Sequence, residues 1–220
     1  IINNGEKTII AETVIIATGA TAKWLGLPSE QHLRQIGGGV SACAVCDGFF
    51  FKGQNVALVG GGDSACEEAS YLAKLCPKVY MIVRKDHLRA SKAMQNRIKN
   101  TFNIEVLFEH ETIEVLGKEK VEGVRVKTII TKEERTLDVT GFFVAIGHHP
   151  NTDIFKGWLE LDEVGYIKLP IPGTSKTNVE GIFASGDAAD KVYRQAITAA
   201  GTGCMAALDA ERYLAAKEAH

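Results

Sequence analysis

No run of apolar residues in this 220-residue chain approaches the roughly 18 that a membrane span needs, so no membrane role is expected. Neither sign of charge dominates, since 25 basic and 27 acidic residues leave a formal net charge of -2. A broad nucleic-acid footprint would show as a basic excess or stripe, so no nucleic-acid partner is expected either. Cysteine is scarce and odd in number, five in all. That argues against a secreted disulfide framework and for reduced thiols with one reactive pair. The opening residues, Ile1-Ile2-Asn3-Asn4-Gly5, carry neither an initiator Met nor the charged-then-apolar pattern of a signal region. Low-complexity segments and fixed-period repeats are also missing, which excludes disorder and solenoids. What is present, 45% hydrophobic and 24% charged residues, is the composition of a globular domain. A chain this long buries roughly 70% of its unfolded surface and needs no staple. Glycine is the abundant residue, at 22. A cytoplasmic α/β protein is expected.

Along the chain, Thr13–Ala20 is a β-branched run ending in Thr-Gly, which predicts a buried strand feeding a tight turn. Asn55–Val59 predicts a second strand. Ala65, Ala69, Leu72 and Leu75 then recur at helical spacing, with Ser64 and Glu67 in a capping-box pattern. Val79–Val83 closes a β-α-β unit. A helix over Lys92–Asn100, a strand over Ile104–Phe108 and an antiparallel meander over Thr112–Val139 follow. Gly141–Gly147 is another buried strand, His148 and His149 shape a loop, and Arg194–Leu214 predicts a glycine-spotted helix. Strands ending in glycine flank the β-α-β unit on both sides, so one domain is expected to sit inserted in another. The boundaries are 1–24, 25–146 and 147–220.

Gly60, Gly62 and Ala65 fit G-x-G-x-x-A between a strand and a helix. Gly60 permits the turn, Gly62 lets a pyrophosphate approach the backbone, and Ala65 allows close helix–strand packing. The phosphates then meet the positive helix N-terminus. At the end of the next strand an acidic residue would bind the ribose 2′-hydroxyl of NAD. The chain instead has Arg84, Lys85 and Arg89, which suit the 2′-phosphate of NADP. Cys43 and Cys46 are spaced so that their sulfurs can meet, and such pairs favour a lowered thiol pKa. A zinc half-site and a pair of inert thiols are the other readings, although no second ligand-spaced pair accompanies it and no metal is expected. Asp47 either moves a proton as thiolate and disulfide interconvert or simply makes the turn before Gly48. Gly186-Asp187 is a second place where a nucleotide's polar groups could be held. Cys66 and Cys204 read as core thiols.

Taken together, Thr18–Ala20, Ser41–Phe50, Gly60–Ala65, Arg84–Ala90, Ala145–Thr152 and Gly186–Ala196 running on to Tyr213 resemble the low-molecular-weight thioredoxin reductases. The resemblance implies that Cys43 and Cys46 form the redox-active disulfide, with Cys46 facing the flavin, Cys43 exchanging with thioredoxin, and Asp47 as the acid. It implies NADPH held by Gly60, Gly62, Asp63, Ser64, Ala65, Arg84, Lys85, Arg89 and Ile146. It implies FAD held by Thr18, Gly19, Gly186, Asp187, Arg194, Gln195 and Ala196. Lys85 and Val83 depart from the arginine and histidine that family members often show. The family's opening strand and G-x-G-x-x-G loop have no counterpart here. The fold implied is therefore α/β: a three-layer, Rossmann-like NADPH domain with a small antiparallel meander, inserted in an incomplete FAD-binding domain.

Electrons would then run from NADPH through FAD and Cys43–Cys46 to thioredoxin, in a homodimer whose inserted domain swivels about Ala22–Leu25 and Ala145–His148. In the chain by itself, Val14–Ala17 and Ile182–Ala184 would lack sheet partners, and NADPH would bind with little FAD retained. Two other readings share these residues: the flavoprotein component of a peroxide-reducing system, and a nucleotide-binding fragment without turnover.

Overall fold

The computed structural model describes residues 7–219. They form two compact units, one made of the chain up to Thr21 and from His148 onward, the other of Ala22–Gly147. The strands β1 (Val14–Ile16) and β2 (Ala20–Ala22) lead into α1 (Pro28–Gln35), β3 (Val40–Ser41) and the single-turn α2 (Ala44–Asp47). Next come β4 (Val56–Val59), α3 (Asp63–Leu72), β5 (Val79–Val83), α4 (Lys92–Lys99) and β6 (Ile104–Phe108). The strands β7 (His110–Leu116), β8 (Gly123–Thr128) and β9 (Glu134–Leu137) precede β10 (Gly141–Val144), and β11 (His148–Pro150), β12 (Ile182–Ala184) and α5 (Ala196–Glu218) complete the order.

The Ala22–Gly147 unit is built on one parallel sheet of order β3-β10-β4-β5-β6. Its strands are apolar on both faces, as a sheet covered on both sides requires. Val56 and Leu58 of β4, Met81 of β5 and Phe143 of β10 pack with Ala65, Cys66, Ala69 and Leu72 of α3 and Ile98 of α4. The alternate residues Ala57, Val59, Ile82 and Phe142 go into the opposite core, with Leu33 of α1 and Val115, Val124, Val126 and Leu137 of the β7-β8-β9 antiparallel sheet. The period of two along each strand thus assigns successive residues to two cores, and the unit has three layers.

Helix α1 holds the segment that precedes it. Glu30 is only 1% exposed, and its two carboxylate oxygens accept from the backbone N–H groups of Leu25 (3.0 Å) and Gly26 (2.9 Å). One turn on, the Arg34 guanidinium lies 4.4 Å from the centre of the Trp24 ring.

In the other unit, β1 runs parallel to β12, with Val14 opposite Ile182 and Ile16 opposite Ala184. Helix α5 packs Ala206, Ala210 and Tyr213 on Phe183 of β12. The two rings meet edge-to-face at 6.2 Å. Gly181 is required there: its φ is +76°, and a Cβ would come within 3.2 Å of the Tyr213 ring. Strand β2 is hydrogen-bonded to β11.

Several sequence expectations need correction. The first strand is short, and Val14 and Ile15 are 47% and 42% exposed, because a two-stranded sheet covers only Ile16. Nor are β1 and β12 without partners, since each is the other's. Gly62, not Ser64, is the N-cap of α3, with no side-chain cap, and the helix ends at Leu72. His148 and His149 lie on β11 rather than in a loop. The last helix starts two residues after Arg194, whose left-handed φ of 48° no helix accepts, and Cys204 on it is exposed rather than in the core.

Glu30→Ala should leave two backbone donors without their acceptor, at about 1–3 kcal/mol each. Urea unfolding is expected to show a loss of about 2–4 kcal/mol, with Glu30→Gln intermediate. An unchanged midpoint for Glu30→Ala would refute the clasp.

Candidate functional site

Strand β3 ends at Ser41, and two residues later Cys43 caps α2. Its sulfur accepts from the Cys46 N–H at 3.2 Å. Cys43 and Cys46 are joined as a disulfide, with their Cα atoms 5.3 Å apart. Cys46 is exposed and Cys43 half-buried, so the bond is open to a reactant. The Ser41 hydroxyl donates to Asp47 Oδ2 at 2.6 Å and accepts from the Cys43 N–H at 3.0 Å. From α3, Glu68 Oε2 accepts from the Ala44 N–H at 3.3 Å. Gly48 seats the turn on α3, where a Cβ would lie 3.0 Å from Leu72 and 3.2 Å from Tyr71. Phe51 then packs edge-to-face on Phe143 at 5.4 Å, while Phe49 and Phe50 are left 65% and 74% exposed.

The other cysteines differ in kind. Burial, reinforced by the charges of Asp63 and Glu67, pushes the Cys66 thiol up to about 11. Burial alone pushes Cys76 to about 11.

A glycine turn beside a cluster of basic side chains lies on the same sheet. Gly60 follows β4 at φ +149°, and a Cβ there would fall 2.4 Å from the Ala145 carbonyl oxygen and 2.7 Å from Ala65 Cβ. Ala65 is fully buried, which is the close packing its place in the motif predicts. At Gly62 a Cβ would meet nothing within 4 Å, so the backbone is open to an approaching group. With no side-chain cap on α3, its first N–H groups remain available to an anion. A cavity of about 140 Å³ beside this turn is lined by Gly60, Gly61, Arg84, Lys85, Arg89, Ile146 and also His87. Among the described residues, Arg84 and Arg89 form no ion pair. The residues present therefore fit a phosphorylated dinucleotide.

Asp63 and Ser64 are exposed at the start of α3. The Asp63 carboxylate accepts from the Ser91 N–H at 2.9 Å, and that bond holds it below the usual carboxylate range. Asp63 thus ties the basic loop to the helix. His87 is what sequence reasoning missed. It sits inside the Arg84–Ala90 string, and its Nδ1 lies 2.6 Å from Asp86.

The residues expected around FAD fall in the other unit. Thr18 and Gly19 form a turn clamped by Asn151, whose Nδ2 donates to the Thr18 carbonyl and whose N–H donates to the Gly19 carbonyl, both at 2.9 Å. Asn151 carried no sequence assignment beyond its string. Gly186 opens a short turn after β12, and its N–H donates to the Thr202 hydroxyl at 2.9 Å. Burial, then the neighbouring Asp190 carboxylate, pushes the Asp187 carboxyl up against the pull of Arg194 and His148. Gln195 is the N-cap of α5 in a capping box with Thr198, and Ala196 is its exposed first residue.

Residues 2–203 match the family model described as pyridine nucleotide-disulphide oxidoreductase. The chain is 52% identical over 207 residues to a thioredoxin reductase of Rickettsia conorii, covering 93% of this chain and 66% of that protein. It is 52% identical over 215 residues to a mitochondrial thioredoxin reductase of Kluyveromyces lactis, covering 96% and 61%. Among solved structures, a thioredoxin reductase from Giardia duodenalis superposes with a TM-score of 0.90 at 47% identity, over 97% of this chain and 69% of that one. The chain thus spans somewhat under two thirds of the length of the first curated relatives it matches.

Alkylation of the native chain at pH 8 should separate the thiols. A thiol at about 11 is only about 0.1% thiolate there. Iodoacetamide is expected to label exposed Cys204 before reduction, and Cys43 and Cys46 in addition after it. Cys66 and Cys76 should react only on unfolding. Rapid native labelling of either buried thiol would contradict the assignment.

Proposed function

The chain belongs to the pyridine nucleotide-disulphide oxidoreductase family, in its thioredoxin reductase branch, and from that premise we propose that it reduces a thioredoxin with electrons from NADPH. The observation that carries the proposal is the accessible Cys43–Cys46 disulfide at the edge of the same sheet as a glycine turn and a cluster of cations, of which Arg84 and Arg89 form no ion pair among the described residues. Gly60, Gly62 and the N-terminus of α3 would hold the pyrophosphate of NADPH, and Ala65 lets the helix approach the sheet. Arg84, Lys85 and Arg89 would hold its 2′-phosphate, with Ile146 beside them. Thr18, Gly19, Gly186, Asp187, Arg194, Gln195 and Ala196 would contribute to holding FAD. Bound there, FAD would supply the hydride and electron-pair chemistry that links NADPH to the Cys43–Cys46 disulfide.

The reduced cysteines act on the partner in two steps. The Cys43 thiolate attacks one sulfur of the partner disulfide, forming a mixed disulfide and releasing the other sulfur. Asp47 takes the proton that Cys43 gives up and returns it to the leaving sulfur. Cys46 then attacks Cys43, re-forming the Cys43–Cys46 bond, and the proton it gives up goes to the second partner sulfur, which leaves as a thiol. Two electrons and two protons have moved to the partner. Exposed Phe49 and Phe50, next to the pair, favour a protein disulfide over a small one as substrate, because such rings gain from burial against another protein surface. The unpaired Cys66, Cys76 and Cys204 support a reducing compartment such as the cytoplasm.

Losing one charge-assisted hydrogen bond to the 2′-phosphate should cost on the order of tenfold to a hundredfold in affinity. Calorimetric titration of Arg84→Ala is therefore expected to weaken NADPH by that factor and to leave NADH nearly unchanged. Equal losses for both nucleotides would show that Arg84 supports the fold instead of reading the phosphate.

A further inference from the structure

The Asp47 carboxylate has one hydrogen-bond partner among the described residues, the hydroxyl of Ser41, at 2.6 Å. That hydroxyl has a single proton. Its other possible acceptor, the Cys43 carbonyl, is 3.4 Å away, so the short bond to the carboxylate takes the proton. The lone pairs of the same oxygen accept the Cys43 N–H at 3.0 Å. Ser41 is buried at the end of β3, where β10 fixes its backbone by pairing it with Phe143. One rigidly placed oxygen thus touches both the acid and the backbone of the attacking cysteine. A cavity of about 280 Å³ lined by Ser41, Asp47, Phe50 and Phe51 opens beside it.

We infer that Ser41 is a positioning residue for the thiol–disulfide exchange, fixing the Asp47 carboxylate relative to the Cys43–Cys46 pair. The inference rests on the reading of Asp47 as the group that carries the proton. Without the hydroxyl, the carboxylate is free to turn toward the cavity and the solvent. The proton that leaves Cys43 then has no fixed acceptor from which to reach the departing sulfur, although the sulfurs themselves are unchanged. The balance of the exchange is unaltered: the Cys43 thiol and a disulfide give a mixed disulfide and one free thiol.

The test uses the 220-residue chain, reduced and freed of reductant, mixed with oxidised glutathione, with thiol loss followed by acid quench and mass measurement. No nucleotide or flavin enters this readout. Asp47→Asn should slow the exchange on the order of a hundredfold. Ser41→Ala should slow it by about tenfold, as the loss of one hydrogen bond to a charged group would. Ser41→Thr, which keeps the hydroxyl and has the cavity beside it, should restore most of the rate. Placed on top of Asp47→Asn, Ser41→Ala should add far less than its effect in the native background, because only the lost acceptor for the Cys43 N–H is then left to act. An equal slowing in both backgrounds, or a Ser41→Thr chain as slow as Ser41→Ala, would overturn the inference. An Asp47→Asn chain that exchanges at the native rate would instead overturn the proton-carrier reading, and the inference with it.

Discussion

The parallel register of β3, β10, β4 and β5 is the constraint from which both candidate sites follow. Phe143 stands opposite Ser41 on one side and Leu58 on the other, and Val59 stands opposite Ile82. The strands therefore end nearly level, and their carboxyl ends share one edge. From that edge emerge Cys43 after β3, Gly60 after β4, Arg84 after β5, and Ala145-Ile146 after β10. Ligands of open parallel sheets bind outside the carboxyl ends of the strands. Here the rule brings the Cys43–Cys46 disulfide and the glycine turn to one edge without either being close in sequence to the cations. A slip of one residue in β10 would turn Phe142 and Phe143 into each other's cores and carry the Ala145 carbonyl away from Gly60.

Burial sorts the cysteines within this frame. Cys43 and Cys46 follow a two-residue strand and occupy a single-turn helix, too short to cover them. Cys66 sits inside a helix of nearly three turns whose inner face is packed on β4 and β5, and Cys76 follows that helix under the same layer. Reactivity here is a consequence of which element covers the sulfur, since a desolvated thiol resists becoming a thiolate.

The inserted α/β unit was largely legible in the sequence because its signals are local and redundant. Val56–Val59 before Gly60, and Ala65, Ala69 and Leu72 at helical spacing, each point to the same strand–turn–helix. The flanking unit was less legible. Val14-Ile15-Ile16 reads as a core strand from composition, yet only Ile16 is covered, since coverage depends on which distant segment pairs with it. Cys204 has the small apolar neighbours of a core residue, but the face it occupies is set by how α5 meets Phe183. His87 and Asn151 stood within recognised strings yet carried no assignment, because their roles come from contacts. One lines a cavity with residues of β4 and β5, and the other clamps a segment more than a hundred positions earlier. Ser41 is similar: nothing in a serine before Ala-Cys shows that its hydroxyl reaches six residues forward.

The basic residues sit on a loop that is tethered to the rest of its unit. The loop after β5 is tied to the glycine turn at two points, the Arg89 N–H donating to the Gly61 carbonyl at 2.7 Å and the Ser91 N–H to Asp63 at 2.9 Å. Leu88, 8% exposed, anchors it from below in the helix-side core. Like charges on Arg84, Lys85 and Arg89 repel, and on an untethered loop they would spread before a ligand arrived. The two hydrogen-bond ties and the Leu88 anchor carry that repulsion in the folded state, so under the proposed function a phosphate bound there would relieve it without first having to order the loop. Ordering immobile groups in advance is what lets a few exposed cations bind one phosphate selectively. Asp63 is thus best understood as part of the tether: an acid in the first turn of α3 whose carboxylate is engaged by the Ser91 N–H, while the start of the helix carries no side-chain cap.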